Sequence, residues 1–128
     1  MMKVLLVDDE LDFLKVMQVR IESWGYDLVK AANGKEAIEA VGRHSPDVIV
    51  LDYMMPDMDG VKVLEEIRKI DKNVPVVMLT AYPDRRSIEG AENLGIHAYI
   101  PKLSMYSDVQ FSLKEVLKMI EEKKDKKE

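Results

Sequence analysis

The fold of this chain is decided by a stretch near its start, VLLVDD at residues 4–9, in which four apolar residues precede two aspartates. A second stretch, VIVLD at residues 48–52, repeats the pattern with one aspartate. Short apolar runs of this kind are typical of buried strands, and aspartate is disfavoured inside a strand. Because open α/β sheets bind ligands at the carboxyl ends of their strands, we expect Asp8, Asp9 and Asp52 to face a common crevice.

Three carboxylates gathered in one crevice call for a cation among them. Like charges at short range repel, and each raises the pKa of the others unless a positive charge compensates. Carboxylate oxygens suit a hard divalent ion. The sequence therefore predicts a Mg²⁺ site at this edge of the sheet.

The composition describes one domain with a single core. The chain has 128 residues, of which 47% are hydrophobic, and no cysteine, so disulfide, zinc-thiolate and cysteine-nucleophile chemistry are excluded. No apolar run approaches the roughly 20 residues of a membrane helix, and no signal-peptide pattern is present. A formal charge of −5 argues against a nucleic-acid-binding face. We expect a cytoplasmic protein that neither enters a membrane nor binds nucleic acid directly.

Short apolar strands alternate with segments of helical periodicity along the chain. The predicted strands cover residues 3–7, 27–31, 47–51, 76–79 and 98–100. Five strand–helix pairs predict an α/β fold, a doubly wound five-stranded parallel sheet with helices on both faces. The first, third and fourth strands are the most apolar and should be central, which fits the order 2-1-3-4-5. We expect one domain over residues 1–121 and a charged tail, 122–128, that frays.

Two more polar residues follow later strands. Thr80 ends the fourth strand, and Lys102 lies just beyond the fifth, so both should reach the rim that carries the acids. An acidic pair, an aspartate, a threonine and a lysine after strands 1, 3, 4 and 5 resemble the receiver domain of two-component response regulators, a flavodoxin-like fold. The resemblance extends from residue 4 to about residue 120. The loop DYMMPDMDG, residues 52–60, is also similar to the family's loop after the phosphoacceptor.

The resemblance implies the role of each acid. Asp52 would be the phosphoacceptor, a nucleophile that takes a phosphoryl group from a sensor histidine kinase or a phosphotransfer protein. Asp9 and Asp52 would bind Mg²⁺ directly, Asp8 through water, and Met54 through its backbone carbonyl. The domain would not be an enzyme in the usual sense, because it would catalyse only its own phosphorylation and slow dephosphorylation.

The resemblance also implies how the phosphoryl group is held and sensed. Lys102, the Thr80 hydroxyl and the Ala81 backbone N–H would contact the phosphoryl oxygens. Thr80 would then move toward the group, and Tyr99 on the fifth strand would turn inward behind it. The surface formed by helix 4, strand 5 and helix 5 would change and control a partner or an output domain, neither of which the sequence identifies. Gly90 should make helix 4 easier to rearrange.

The sequence departs from the family pattern in two places. The family's lysine is usually followed by a cis-proline, whereas Leu103 follows Lys102 and Pro101 precedes it. A cis bond without proline costs about 3 kcal/mol, so we expect the Lys102–Leu103 bond to be trans and the following loop to differ. Met54 and Tyr82, two residues after the acid and the threonine, should impede an attacking water, which predicts a long-lived phosphoaspartate.

Three other readings compete with the receiver. A haloacid-dehalogenase-type phosphatase would require the motif Asp-x-Asp after its first strand, but Asp8 and Asp9 are adjacent. A flavin-binding protein would require a phosphate-binding loop after the first strand, where this chain has acidic residues that would repel a phosphate. A degenerate receiver would bind partners without phosphorylation, although all the site residues are present. Among the remaining acids, we expect Glu10 to favour the start of helix 1 through the helix dipole, and Asp57 or Asp59 to cap helix 3.

Overall fold

The structure, a computed structural model, describes residues 2–81, 85–102 and 106–127. Strands and helices alternate in the order β1 (Lys3–Val7), α1 (Leu11–Ser23), β2 (Asp27–Ala31), α2 (Gly34–His44), β3 (Val48–Asp52), α3 (Gly60–Ile70), β4 (Val76–Thr80), α4 (Arg85–Asn93), β5 (Ala98–Pro101) and α5 (Tyr106–Lys127). The predictions for Tyr82 and for the Lys102–Leu103 peptide bond concern residues outside the described ranges. No helix within those ranges is both long and apolar enough to cross a membrane.

The predicted sheet order is confirmed. All neighbouring strands are parallel, in the order β2-β1-β3-β4-β5. Every residue of the central strands β3 and β4 is buried, whereas β2 at the edge is mostly exposed or half-buried. Because the chain reverses its winding direction between β1 and β3, a crevice opens where their carboxyl ends meet.

The third strand lies one residue later than predicted. Its ladder begins at Val48, because Asp47 serves as a polar anchor instead: its carboxylate accepts a hydrogen bond of 2.7 Å from the Lys3 N–H. The strand ends at Asp52, which pairs with Leu79 of β4. Asp52 is therefore the last residue of the buried strand and not the first residue of the loop.

Helices cover both faces of the sheet and enclose two apolar layers. On one face α1 and α5 present residues at helical spacing, among them Phe13, Met17, Leu113 and Leu117. On the other face α2, α3 and α4 contribute the residues Ala37, Val41, Leu64, Ile67 and Ala91. The five strands supply the middle of both layers, so the sheet is buried on both sides and its carboxyl edge is held rigidly.

The charged tail is helical in the structure, where α5 continues to Lys127, and its fraying stays a prediction. Glutamate and lysine are good helix formers, so the composition does not oppose the helix. Two side-chain contacts also anchor this end. The Lys124 ammonium lies 2.9 Å from the Asp47 carboxylate, and the Tyr26 hydroxyl donates to Glu121 at 3.4 Å.

Asp57 and Asp59, the two candidates for the cap of α3, accept hydrogen bonds from the N-termini of two different helices. Asp59 accepts a hydrogen bond of 2.9 Å from the Lys62 N–H and caps α3, as one of the two alternatives predicted. Asp57 instead accepts from the N–H groups of Gly34 and Lys35, at 3.1 and 3.2 Å, and these donors lower its pKa. Asp57 thereby ties the loop between β3 and α3 to the start of α2.

Candidate functional site

Three carboxylates meet at the crevice between β1 and β3. Asp8 and Asp9 follow β1, and Asp52 ends β3, whose Leu51 pairs with Val7 of β1. One carboxylate oxygen from each aspartate lies within 4.8 Å of the other two. Asp8 and Asp52 are buried, whereas Asp9 is exposed. The structure therefore brings together the three acids that the sequence singled out, with access to solvent on the side of Asp9.

Burial and mutual repulsion disfavour charge on this cluster. Burial raises the pKa of Asp52 to about 7, the negative charge of Asp8 adds to this, and the nearby Lys102 opposes it. Burial also raises the pKa of Asp8, although hydrogen bonds from Lys102 and from the Glu10 N–H act against it. The cluster thus binds a proton near neutral pH unless another cation takes its place.

The donor set of this cluster fits Mg²⁺. Three carboxylates supply hard oxygen ligands at one point, and a divalent ion would relieve the repulsion that raises their pKa values. Met54 follows in the loop after β3, and its backbone N–H donates to Asp52 and lowers the pKa of that carboxyl. The coordination that we assigned to the Met54 carbonyl stays a prediction.

Lys102 reaches the same crevice from β5. Its ammonium nitrogen lies 2.7 Å from an Asp8 oxygen and 2.8 Å from a Glu10 oxygen, but 4.0 Å from the nearest Asp52 oxygen. The nitrogen also stands 4.2 Å from the centre of the Phe13 ring, a cation–π distance. Burial alone would lower the pKa of Lys102, but the two carboxylate hydrogen bonds outweigh it and raise the pKa, so the lysine stays charged.

Glu10 lies at the N-terminus of α1, as predicted, but the partner of its side chain was not predicted. It occupies the position before α1, yet among the described residues its side chain caps no helix N–H. It turns instead to Lys102. The signal for this contact was the unbroken run of three acids at residues 8–10, but nothing in the sequence says that a lysine 92 positions away approaches the third acid.

Thr80 and Ala81 lie on the same rim. Thr80 is the last residue of β4 and is fully buried, and Ala81 follows it directly. Because β4 is the neighbour of β3 and Asp52 pairs with Leu79, these residues adjoin the carboxylate cluster. The contacts that we predicted for their hydroxyl and N–H groups stay predictions.

Tyr99 links β5 to α4. It pairs with Met78 of β4, so its side chain lies on the same face of the sheet as Met78 and, two residues further on, Thr80. The Tyr99 hydroxyl is 3.1 Å from the hydroxyl of Ser87, a buried residue of α4. No pattern in the sequence connects this serine with the tyrosine, because a hydroxyl can also be satisfied by water.

The order of the strands and the acidic crevice at the point where the winding reverses define a doubly wound, flavodoxin-like protein of the kind to which chemotaxis receivers belong. The family model described as "Response regulator receiver domain" matches residues 4–121, and the chain belongs to this family of two-component signalling domains.

Known relatives share this domain with and without further chain. The probable transcriptional regulator ycf27 of Guillardia theta is 41% identical over 117 residues, which cover 91% of this chain and 45% of that protein. Sporulation initiation phosphotransferase F of Bacillus subtilis is 30% identical over 115 residues, which cover 90% of this chain and 93% of that protein. The chain therefore spans about half the length of its ycf27 relative and nearly all of the phosphotransferase.

Among solved structures, the response regulator protein TrrA of Thermotoga maritima, crystallised in complex with Mg²⁺ and BeF, matches with a TM-score of 0.77 and 29% identity. The match covers 91% of this chain and 99% of that one.

Proposed function

We propose that this chain is a phosphorylation-controlled switch in which Asp52 accepts a phosphoryl group from a sensor histidine kinase or a phosphotransfer protein. The observation that carries the proposal is the carboxylate cluster at the carboxyl ends of β1 and β3, in which Asp8 and Asp52 are buried and a charged lysine lies beside them. Such a site can place positive charge beside one aspartate, and phosphoryl transfer requires positive charge next to the negatively charged phosphoryl oxygens.

The chemistry is an in-line displacement at phosphorus. An Asp52 oxygen forms a bond to phosphorus as the bond between phosphorus and the donor's nitrogen or oxygen breaks, and the electron pair of that bond leaves with the donor. Asp8, Asp9 and Asp52, with the Met54 carbonyl, would hold Mg²⁺, which when bound supplies positive charge next to the transferring oxygens. The TrrA structure with Mg²⁺ and BeF supports this assignment by family likeness.

Three groups of the chain receive the phosphoryl oxygens. The Lys102 ammonium is already within 4.0 Å of Asp52 and approaches one oxygen as a point charge. The Thr80 hydroxyl and the Ala81 N–H, on the adjacent strand end, donate to another. In this proposal the domain turns over no separate substrate, because the acyl phosphate formed on Asp52 is hydrolysed slowly at the same site.

The response to phosphorylation passes through Thr80 and Tyr99 to α4. When Thr80 moves toward the phosphoryl group, the face of the sheet that it shares with Tyr99 is repacked. Tyr99 is held to α4 through the Ser87 hydroxyl, so a rotation of the ring breaks that bond and changes the α4–β5–α5 surface. A Cβ on Gly90 would lie 3.2 Å from a Val61 methyl of α3, so the glycine allows α4 to pack closely against α3.

The partner that reads this surface is either an output domain or a separate protein. The ycf27 relative is a probable transcriptional regulator about twice as long as the matched domain, whereas the phosphotransferase is covered almost entirely. A phosphorelay intermediate and a regulator's receiver are thus both compatible with the domain.

The first test of phosphorylation is intact mass after incubation with acetyl phosphate and Mg²⁺. The wild-type chain should gain one phosphoryl group, the Asp52→Asn variant none, and wild type in EDTA none. Asp57→Asn is the matched control, since it removes a carboxylate from the same loop outside the cluster and should be phosphorylated like wild type. A phosphoryl group that persists in Asp52→Asn, or that forms equally in EDTA, refutes the proposed site.

The switch has a separate test that needs no kinase. Backbone amide spectra recorded with Mg²⁺, with and without beryllium fluoride, should show changes at α4 and β5 in wild type. In Tyr99→Phe, which keeps the ring but cannot bond to Ser87, the α4 signals without beryllium fluoride should already be shifted toward the activated positions. Unchanged α4 and Tyr99 signals in the wild-type protein would contradict the proposed path.

A further inference from the structure

We propose that Glu10 is a positioning residue that holds Lys102 away from Asp52 until the phosphoryl group arrives, and so restrains phosphorylation. The inference rests on the proposed function. Its starting point is that Lys102 bonds to Asp8 and Glu10, at 2.7 and 2.8 Å, and stands 4.0 Å from the phosphoacceptor, which is beyond hydrogen-bonding distance.

The lysine has little freedom apart from these contacts. Its side chain is 7% exposed, and its ammonium lies over the Phe13 ring. Among the described residues, the groups that face the ammonium are Asp8, Glu10, Asp52 and that ring. A shift toward Asp52 must therefore be made against its two carboxylate partners.

When the cluster carries a cation, only Glu10 of these two partners still attracts the Lys102 ammonium with its full negative charge. Asp8 is one of the three carboxylates that can share an ion, so its negative charge would then be largely compensated. The Glu10 side chain is 55% exposed and turned to Lys102. It remains a competitor for the lysine at the time when a phosphoryl oxygen needs it.

Because Glu10 lies just before α1, two variants can distinguish the effect of its negative charge from the effect of its contact with Lys102. Glutamate is a poor cap and makes no capping bond here within the described chain, whereas aspartate is among the favoured cap residues. In Glu10→Asp the shorter carboxylate should turn to the N–H groups of α1 and release Lys102, while the negative charge stays. Glu10→Gln removes the charge itself.

The decisive experiment compares phosphorylation rates by acetyl phosphate at saturating Mg²⁺, followed by intact mass. Both Glu10→Asp and Glu10→Gln should be phosphorylated about two- to fivefold faster than wild type, the range that loss of one half-exposed ion pair supports. Asp12→Asn, which removes an exposed acid from the first turn of α1, is the matched control and should keep the wild-type rate.

A second measurement follows Lys102 without metal or phosphodonor. Proton–nitrogen spectra of the lysine ammonium groups should show one signal protected from solvent in wild type, assigned by its loss in Lys102→Arg. That protection should fall in both Glu10 variants and stay in Asp12→Asn. A change of surface charge alone would leave the protected signal in place.

The possible results distinguish failure of the inference about Glu10 from failure of the proposed function. Acceleration in Glu10→Gln with a wild-type rate in Glu10→Asp would mean that Glu10 only repels the donor, and would overturn the inference. Equal rates in all four proteins would also overturn it while leaving the switch intact. If wild type gains no phosphoryl group on Asp52, the proposed function itself fails.

Discussion

Replacing Asp52 by asparagine should stabilise the metal-free protein at neutral and higher pH and should flatten its pH dependence. The reason is the pKa of Asp52, which burial and then the charge of Asp8 raise from 3.8 to about 7. Between these two values the folded state keeps a proton that the unfolded chain has released. The free energy of unfolding of the wild type therefore falls as pH rises through this window and levels off above it.

The magnitude follows from the same shift. One additional proton bound in the folded state is worth about 1.4 kcal/mol per pH unit, so the interval from about pH 5 to 7 corresponds to about 2–3 kcal/mol. Asp8 titrates in the same direction, since its pKa is also raised, and leaves a smaller slope in the variant. Lys102 contributes nothing in this window, because its pKa is raised and it stays charged.

The assay is urea unfolding in EDTA at several pH values between about 5 and 8. Asp57→Asn is the matched control, because the pKa of Asp57 is lowered and its contribution falls below this window. It should keep the wild-type slope. Mg²⁺ at millimolar concentration should remove most of the wild-type slope and raise the stability at the upper end, since it binds the folded state and displaces the proton.

Two results would refute this reasoning. A wild-type stability that does not fall relative to Asp52→Asn from about pH 5 to 7 in EDTA would mean that Asp52 is ionised there despite its burial, since His97, whose pKa burial lowers, contributes equally to both proteins. A slope as steep in Asp52→Asn as in wild type would assign the proton to another group. Either result would also remove the electrostatic reason for a cation at this site.

Three further substitutions test the frame around the site by thermal or urea unfolding. Arg68→Lys should cost about 2 kcal/mol, because the guanidinium donates to four backbone carbonyls that an ammonium cannot reach together; an unchanged midpoint would contradict this. Gly60→Ala should cost a similar amount, about 2 kcal/mol, since the added Cβ would lie 2.8 Å from the Tyr53 Cα, whereas Gly42→Ala, with open space around it, should not destabilise. Asp57→Ala should lower Tm by about 3 °C, because the N–H groups of Gly34 and Lys35 lose their acceptor, while Asp57→Asn should retain most of the wild-type Tm.

Periodicity was enough to predict the sheet because burial on both faces leaves a simple signal. Fully apolar runs mark the central strands β1, β3 and β4, and the alternation with helices allows only parallel pairing. The limits of β2 were predicted correctly, at Asp27–Ala31. The one-residue error at β3 arose because Asp47 is a side-chain partner of a distant N–H, which a local pattern does not reveal.

The site was predictable to the extent that strand ends determine it. Asp8, Asp9 and Asp52 are brought together by the backbone alone, so their meeting followed from the strand order. The partners of long side chains did not follow, because they depend on rotamers and on distant segments. The contact of Glu10 with a lysine 92 positions away is of this kind.

A proton, a lysine and a divalent ion can each compensate the buried charge of this crevice, and the three differ in what they prevent. A proton on Asp52 would remove the proposed nucleophile, since only the carboxylate attacks phosphorus. Lys102 would leave the proposed nucleophile ionised, but its ammonium lies nearer to the carboxylates of Asp8 and Glu10 than to that of Asp52. A divalent ion compensates the cluster and leaves Asp52 charged. The proposed dependence on Mg²⁺ would therefore follow from burial as much as from coordination, because a divalent ion would displace the proton that burial retains on Asp52 up to about pH 7.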